Sequence, residues 1–160
     1  MSDAVNLFER HLTEDSSEIP NVAPRTTRRK GRELALQALY QIEITSDPSA
    51  SAVDSFLRHF EGGAKAKEFA RRLVPGVISQ RAHLDSLIEQ STEHWKLERL
   101  AKVDFLILRM ASYELLFCPD IPAPVSLDEA IEVAKRFGGP DSAGFINGVL
   151  DQIAQSRKPA

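Results

Sequence analysis

The sequence predicts an all-α fold, a compact bundle of about six or seven helices with a disordered N-terminal arm. Apolar residues recur at helical spacing in every long segment, and no segment shows the strict apolar–polar alternation of a half-buried strand. Proline and glycine interrupt this pattern at positions that fit helix ends. No internal repeat is visible. Packing several amphipathic helices around one core is the architecture that suits such a pattern.

The N-terminal segment differs from the rest of the chain. Residues 1–24 carry five acids against one base and few apolar residues, so we expect a disordered arm there and one folded domain over residues 25–160. Five bases then fall within eight positions: Arg25, Arg28, Arg29, Lys30 and Arg32. Such a density of positive charge is typical of a contact with a polyanion.

The first predicted helix runs from Arg28 to about Thr45. On a helical wheel Arg29, Arg32, Leu36 and Tyr40 form a stripe beside the apolar arc, which predicts a cationic ridge with an aromatic residue at its end. Guanidinium groups and aromatic rings are the groups that bind single-stranded RNA. The alternative is a solvated first turn, although cations at a helix start oppose the helix dipole.

Two further helical patterns lie in the middle of the chain. The first covers residues 50–60 and is ended by Gly62-Gly63. The second covers residues 64–90 and contains Pro75-Gly76, where we expect a kink or a break. Residues 91–101 form a connecting element.

The segment from Val103 to Phe117 is apolar on nearly every side, which predicts a helix buried at the centre of the bundle. Its charged residues Arg109 and Glu114 therefore need partners, and Arg109 can bridge to Glu129 or to Glu114.

Two helices complete the chain. A capping box of Ser126 and Glu129 predicts that the first begins at Ser126. In the second, Ile146, Val149, Leu150 and Ile153 form an apolar stripe, with Phe145 at its edge.

The composition also bears on function. The single cysteine, Cys118, excludes an internal disulfide and a cysteine zinc cluster, and the four histidines lack metal-ligand spacing. No apolar run approaches the roughly 20 residues of a membrane span, and the first residues do not resemble a secretory signal. We expect a cytoplasmic protein that is not an enzyme and has no cofactor, metal or membrane contact.

Four blocks together resemble the NusB family of bacterial transcription antitermination and termination factors. The blocks are RRKGRELALQALYQ, LAKVDFLILRMASYELLF, IPAPVSLDEAIEVAKRFG and DSAGFINGVLDQIA. The resemblance implies an all-helical RNA-binding protein that binds boxA of nascent ribosomal RNA together with NusE, a small-subunit ribosomal protein. It also implies that this assembly joins the RNA polymerase elongation complex with other Nus factors. Members occur as monomers and as homodimers.

The same resemblance assigns candidate site residues. Phe145 and Asp141 match positions associated with RNA near the basic helix, and Glu98 and Asp104 match the surface that meets NusE. Four of the candidate residues have a structural alternative: Phe145 and Tyr40 can complete the core, Asp141 can cap a helix, and Asp104 can stabilise a helix start.

Two other functions remain open from the sequence. One is a helical scaffold that binds protein but has no RNA affinity of its own. The other is a detached N-terminal domain related to RNA cytosine methyltransferases, whose chemistry requires an α/β domain that these 160 residues do not contain. The resemblance assigns nothing to the acidic N-terminal arm.

Overall fold

The computed structural model describes residues 24–60, 62–92 and 100–157, with side chains for 27–60, 62–92 and 100–156. Within these ranges there are seven helices and no strand, which confirms the predicted all-α fold. The helices are α1 (Pro24–Thr45), α2 (Ala50–His59), α3 (Ala64–Ser79), α4 (Arg81–Gln90), α5 (Lys102–Phe117), α6 (Ala123–Phe137) and α7 (Ser142–Arg157). None of the described helices is long and apolar enough to cross a membrane.

The chain divides into two compact units, Met1–Val74 and Pro75–Ala160, with the division inside α3. In the first unit, α1 packs against α2. Ser49 caps α2 by accepting a hydrogen bond from the Ala52 amide at 3.1 Å. The carboxylate of Asp54 accepts from Arg71 at 3.1 Å and so joins α2 to α3.

Helix α1 begins at Pro24, four residues before the predicted start. Proline is favoured in the first turn of a helix, since its missing N–H has no partner there and its fixed φ suits the helix. Pro24 therefore belongs to the helix and not to the predicted arm. The other residues of that arm, 1–23, lie outside the described part of the chain.

The long pattern over residues 64–90 contains a break, but not at Pro75-Gly76. Helix α3 continues through Pro75 to Ser79, and α4 begins at Arg81. The prediction placed the break four residues too early, because it treated this proline-glycine pair as a helix end. Gly76 has a packing role: the ring of Tyr113 occupies the space that a Cβ at residue 76 would need.

In the second unit, α5 packs against α4, α6 and α7 and is buried along most of its length, as predicted. The partner that the structure shows for Arg109 is Asp85 of α4, which sequence reasoning did not name. Arg109 Nε lies 2.7 Å from Asp85 Oδ1 and a terminal nitrogen lies 3.0 Å from Oδ2, a two-pronged pair. The guanidinium also lies 4.0 Å from the centroid of the Phe105 ring.

The predicted capping box at the start of α6 is wrong. The helix begins at Ala123, with Pro122 in the cap position and no side-chain cap. Ser126 lies within the helix, where its hydroxyl donates a buried hydrogen bond of 3.1 Å to Glu114 Oε1. In α7 the predicted stripe of Ile146, Val149, Leu150 and Ile153 is buried, as expected.

Candidate nucleic-acid interface

The first two turns of α1 carry the basic residues. We call Arg25, Arg28, Arg29 and Lys30 the basic segment. Arg28 is exposed, and Arg29 and Lys30 are partly exposed, whereas the side chain of Arg25 lies outside the described part of the structure. No acidic residue occupies the first turn of α1, so the positive end of the helix dipole and the positive side chains coincide. This end of α1 therefore attracts anions.

The prediction that Arg32 and Leu36 lie beside the apolar core is wrong. The side chain of Arg32 is buried, with 1% of its surface exposed, and Leu36 is fully buried. The guanidinium carbon of Arg32 lies 5.1 Å from the centroid of the Phe69 ring. Sequence reasoning took an arginine at the edge of the apolar arc to be solvated, but α3 covers this side of α1. Arg32 is thus a structural residue in this conformation.

Arg28 has the same relation to Phe69 but a different environment. Its guanidinium carbon also lies 5.1 Å from the ring centroid, yet its side chain is exposed. The Phe69 ring therefore contacts a guanidinium that is still exposed to solvent. Nothing in the sequence pattern singled out Phe69 as a contact of the arginines.

Gly31 explains how α1 and α3 come so close together. A Cβ at residue 31 would lie 2.8 Å from the Ala66 carbonyl oxygen and 3.0 Å from the Phe69 Cβ. Only glycine leaves room for this approach, which brings Phe69 beneath the arginines. The glycine within this basic helix is the one feature of the sequence that could have indicated a close approach of another helix.

Tyr40 is partly buried and does not join the basic segment. It lies twelve residues after Arg28 on the same helix, a separation of about 18 Å along the axis at about 1.5 Å per residue. The structure therefore does not place Tyr40 with the arginines.

In the second unit, three candidate residues line one open cavity of about 500 Å³. Asp104 lies in the first turn of α5, Asp141 immediately precedes α7, and Phe145 lies in the first turn of α7. The cavity thus brings together residues that the resemblance assigns to the protein partner and residues that it assigns to RNA. The remaining lining residues are Leu100, Ala101, Gly139, Pro140 and Ser142.

The three side chains differ in how accessible they are to a ligand. Phe145 is only partly buried, Asp141 is exposed, and Oδ1 of Asp104 is buried without a hydrogen-bond partner among the described residues. The turn before α7 is held by Ser142, whose hydroxyl accepts a 2.9 Å hydrogen bond from the Gly139 amide. Asp104 also stands at a helix start, where an acid is favourable, so both of its predicted roles are compatible.

One predicted partner residue, Glu98, lies outside the described part of the chain. Among the described residues, no group of three or more histidine, cysteine, aspartate or glutamate side chains is placed to hold a metal ion.

Comparison with known proteins settles the family. The NusB family model matches residues 29–155. The chain belongs to the NusB family. Relatives described as transcription antitermination protein NusB include those of Geobacter sp. strain M21, 48% identical over 139 residues, and Geobacter sulfurreducens, 49% identical over 130 residues. These matches cover 82% and 81% of this chain and 96% and 94% of the two relatives.

Solved structures of the family share the fold. NusB of T. maritima superposes with a TM-score of 0.74 at 40% identity, covering 87% of this chain and 96% of that one. A complex of antitermination factors NusB and NusE with dsRNA superposes with a TM-score of 0.71 at 21% identity, covering 81% of this chain and 97% of that one. At that identity the second comparison shows the fold alone.

Proposed function

We propose that this protein is a transcription antitermination factor that binds boxA of nascent ribosomal RNA together with NusE. The match to the NusB family over residues 29–155 carries this proposal, supported by relatives that are named for antitermination and are matched over almost their whole length. The RNA-bound assembly joins the RNA polymerase elongation complex with other Nus factors. The activity is binding and not catalysis, and it takes place in the cytoplasm, where bacterial transcription occurs.

The basic segment of α1 supplies the phosphate contacts in this proposal. Arg28, Arg29 and Lys30 are accessible at the positive end of a helix, and guanidinium groups pair with phosphate through parallel N–H donors. Arg32 is not included, because its burial against Phe69 leaves it unavailable to RNA. These contacts are independent of sequence and position the RNA strand.

Phe145 supplies a base-stacking contact. Its ring is partly exposed at an open cavity, beside the carboxylate of Asp141. A base stacked on an aromatic side chain contributes about 1–3 kcal/mol, which corresponds to roughly a 5- to 150-fold change in affinity. Asp141 lowers the affinity for a polyanion by charge repulsion while accepting hydrogen bonds from base amino groups.

Asp104 supplies a carboxylate to the basic protein partner. Asp104 is partly exposed at the cavity, so its carboxylate can pair with a cationic side chain of NusE. We also propose that residues 25–160 form the RNA-binding NusB-like domain and that the acidic residues before them lie outside it.

Replacement of Phe145 by alanine tests the RNA-binding part of the proposal. We expect Phe145→Ala to weaken boxA binding at least fivefold in a fluorescence anisotropy titration. Phe117→Ala is the matched control, since Phe117 is also a half-exposed phenylalanine at 38% exposure and lies at the far end of α5 from Asp104. Equal losses in both variants would reject Phe145 as a stacking residue.

Titration of boxA with and without NusE separates this function from a protein scaffold that has no RNA affinity. The burial of Arg32 is the observation that favours the scaffold function, because it leaves one cation fewer on the surface of α1 for RNA to bind. Our proposal predicts measurable binding by this protein alone and tighter binding with NusE. Asp104→Asn should weaken only the association with NusE, and Asp151→Asn, an exposed aspartate of α7, should leave it unchanged.

A further inference from the structure

The segment before α1 is as acidic as the start of α1 is basic. Residues 1–23 hold five acids and one base: Asp3, Glu9, Arg10, Glu14, Asp15 and Glu18. We propose that this acidic segment docks on the basic segment of α1 and competes with RNA for it. The inference rests on the proposed function, because it takes the basic segment to be the phosphate-binding surface.

The acidic segment lies outside the region that this chain shares with its family. The family match begins at residue 29, after all five acids. Relatives are matched over 88–96% of their own length while 79–82% of this chain is covered. The shared domain therefore does not need these acids for its fold, which leaves them available for a regulatory contact.

The structure makes α1 a suitable acceptor. Arg28 is exposed, Arg29 and Lys30 are partly exposed, and the first turn of the helix contains no acidic residue. Carboxylates use the same guanidinium and ammonium donors that phosphates use. A carboxylate that occupies Arg28 or Arg29 therefore excludes a phosphate from the same N–H groups.

Covalent attachment brings the two charge clusters together. The acidic residues precede Pro24 by 6 to 21 positions, and an extended chain spans about 3.3–3.6 Å per residue. The basic segment covers only about 7.5 Å of helix axis at about 1.5 Å per residue. Reach is therefore no obstacle, and covalent attachment over so short a stretch of chain gives an effective concentration in the millimolar range.

The expected inhibition is moderate. Each exposed ion pair is individually weak, so several of them together give the acidic segment a dissociation constant between about one tenth of its effective concentration and about that concentration itself. Competition of this strength lowers the apparent affinity for RNA by about two- to tenfold at low salt. Salt screens exposed charges, so the inhibition must decline as ionic strength rises.

The test compares three full-length proteins. The first is the wild-type chain, and the second has all five acids neutralised as D3N, E9Q, E14Q, D15N and E18Q. The third keeps the acids and replaces the apolar residues of the same segment as V5S, L7S, F8S and L12S. Two quantities are measured for each: boxA affinity at low and high salt, and backbone amide chemical shifts of residues 25–33 without RNA.

We expect the neutralised chain to bind boxA about two- to tenfold more tightly than wild type at low salt, with the difference closing at high salt. Its amide shifts in the basic segment should also change without RNA, whereas the chain with serine substitutions should behave as wild type. The proposal is overturned if the neutralised chain matches wild type in both measurements, or if the serine variant shows the same gain. If no chain binds RNA, the proposed function fails while the amide shifts still decide whether the acidic segment docks.

Discussion

Two arginines on α1 contact the same aromatic ring from different environments, and their replacement should have different effects. Arg28 and Arg32 each place a guanidinium carbon 5.1 Å from the centroid of the Phe69 ring. Arg28 is exposed, and Arg32 has 1% of its surface exposed. We predict that Arg32→Ala destabilises the fold strongly, whereas Arg28→Ala acts mainly on RNA binding.

The magnitudes follow from burial. A desolvated cation–π contact contributes about 2 kcal/mol, against about 0.5–1 kcal/mol for an exposed one. Replacing Arg32 by alanine also removes two buried methylene groups worth about 0.8 kcal/mol each. Arg32→Ala should therefore lower the free energy of unfolding by about 3.5 kcal/mol, and Arg28→Ala by at most about 1 kcal/mol.

Urea denaturation followed by circular dichroism measures both changes. The midpoint should fall for Arg32→Ala without a change in the m-value, since the folded state remains compact. Where both variants are fully folded, Arg28→Ala should reduce the salt dependence of boxA binding by about 0.7 in log–log slope, and Arg32→Ala should not. Equal losses of stability, or a greater loss for Arg28→Ala, would refute the assignment of Arg32 to the core.

Other variants test the packing contacts. Gly31→Ala should lower the free energy of unfolding by about 1–3 kcal/mol because its Cβ meets the backbone of α3, whereas Gly144→Ala, with open space around it, should raise it by about 0.4–1 kcal/mol. Thermal melting compares the two. Asp85→Ala removes two charge-assisted hydrogen bonds from the guanidinium of Arg109, which is 8% exposed, and should cost about 1.5–3 kcal/mol in urea unfolding; a loss below about 1 kcal/mol would contradict the importance of the pair. Ser126→Ala should cost about 1–3 kcal/mol by the same measurement, since it removes one buried hydrogen bond to the Glu114 carboxylate, and an unchanged midpoint would contradict this.

Helix number and most helix bounds could be predicted from the sequence, because apolar periodicity reports directly which face is buried. The bounds of α2 and the buried stripe of α7 agree with prediction. The errors occurred at residues whose local sequence pattern suggests a helix end or cap but which serve contacts between helices. Pro75-Gly76 is a typical helix end, but here Gly76 makes room for the Tyr113 ring. Ser126 is a typical helix cap, but here its hydroxyl donates to Glu114.

The candidate site could be predicted only in part. The basic cluster was visible as a run of charge, but burial of Arg32 depends on Gly31 and Phe69, which lie 38 residues apart and meet only in the fold. The periodicity of apolar residues along a helix cannot show which neighbouring helix covers the edge of its apolar face. The cavity shared by Asp104 and Phe145 likewise depends on how α5 and α7 pack, since the two residues are separated by 41 positions.

The salt dependence of boxA binding is the most direct test of the claim that the accessible part of the basic segment holds RNA. The comparison uses the wild-type chain, a variant with R28A, R29A and K30A, and a control with R58A, K65A and K135A, which removes the same charge from exposed positions elsewhere. We predict that the first variant flattens the log–log slope by about 2, since each lost phosphate contact on a single strand contributes about 0.7. The control should keep the wild-type slope. Equal changes in the two variants, or no change in either, would contradict the account.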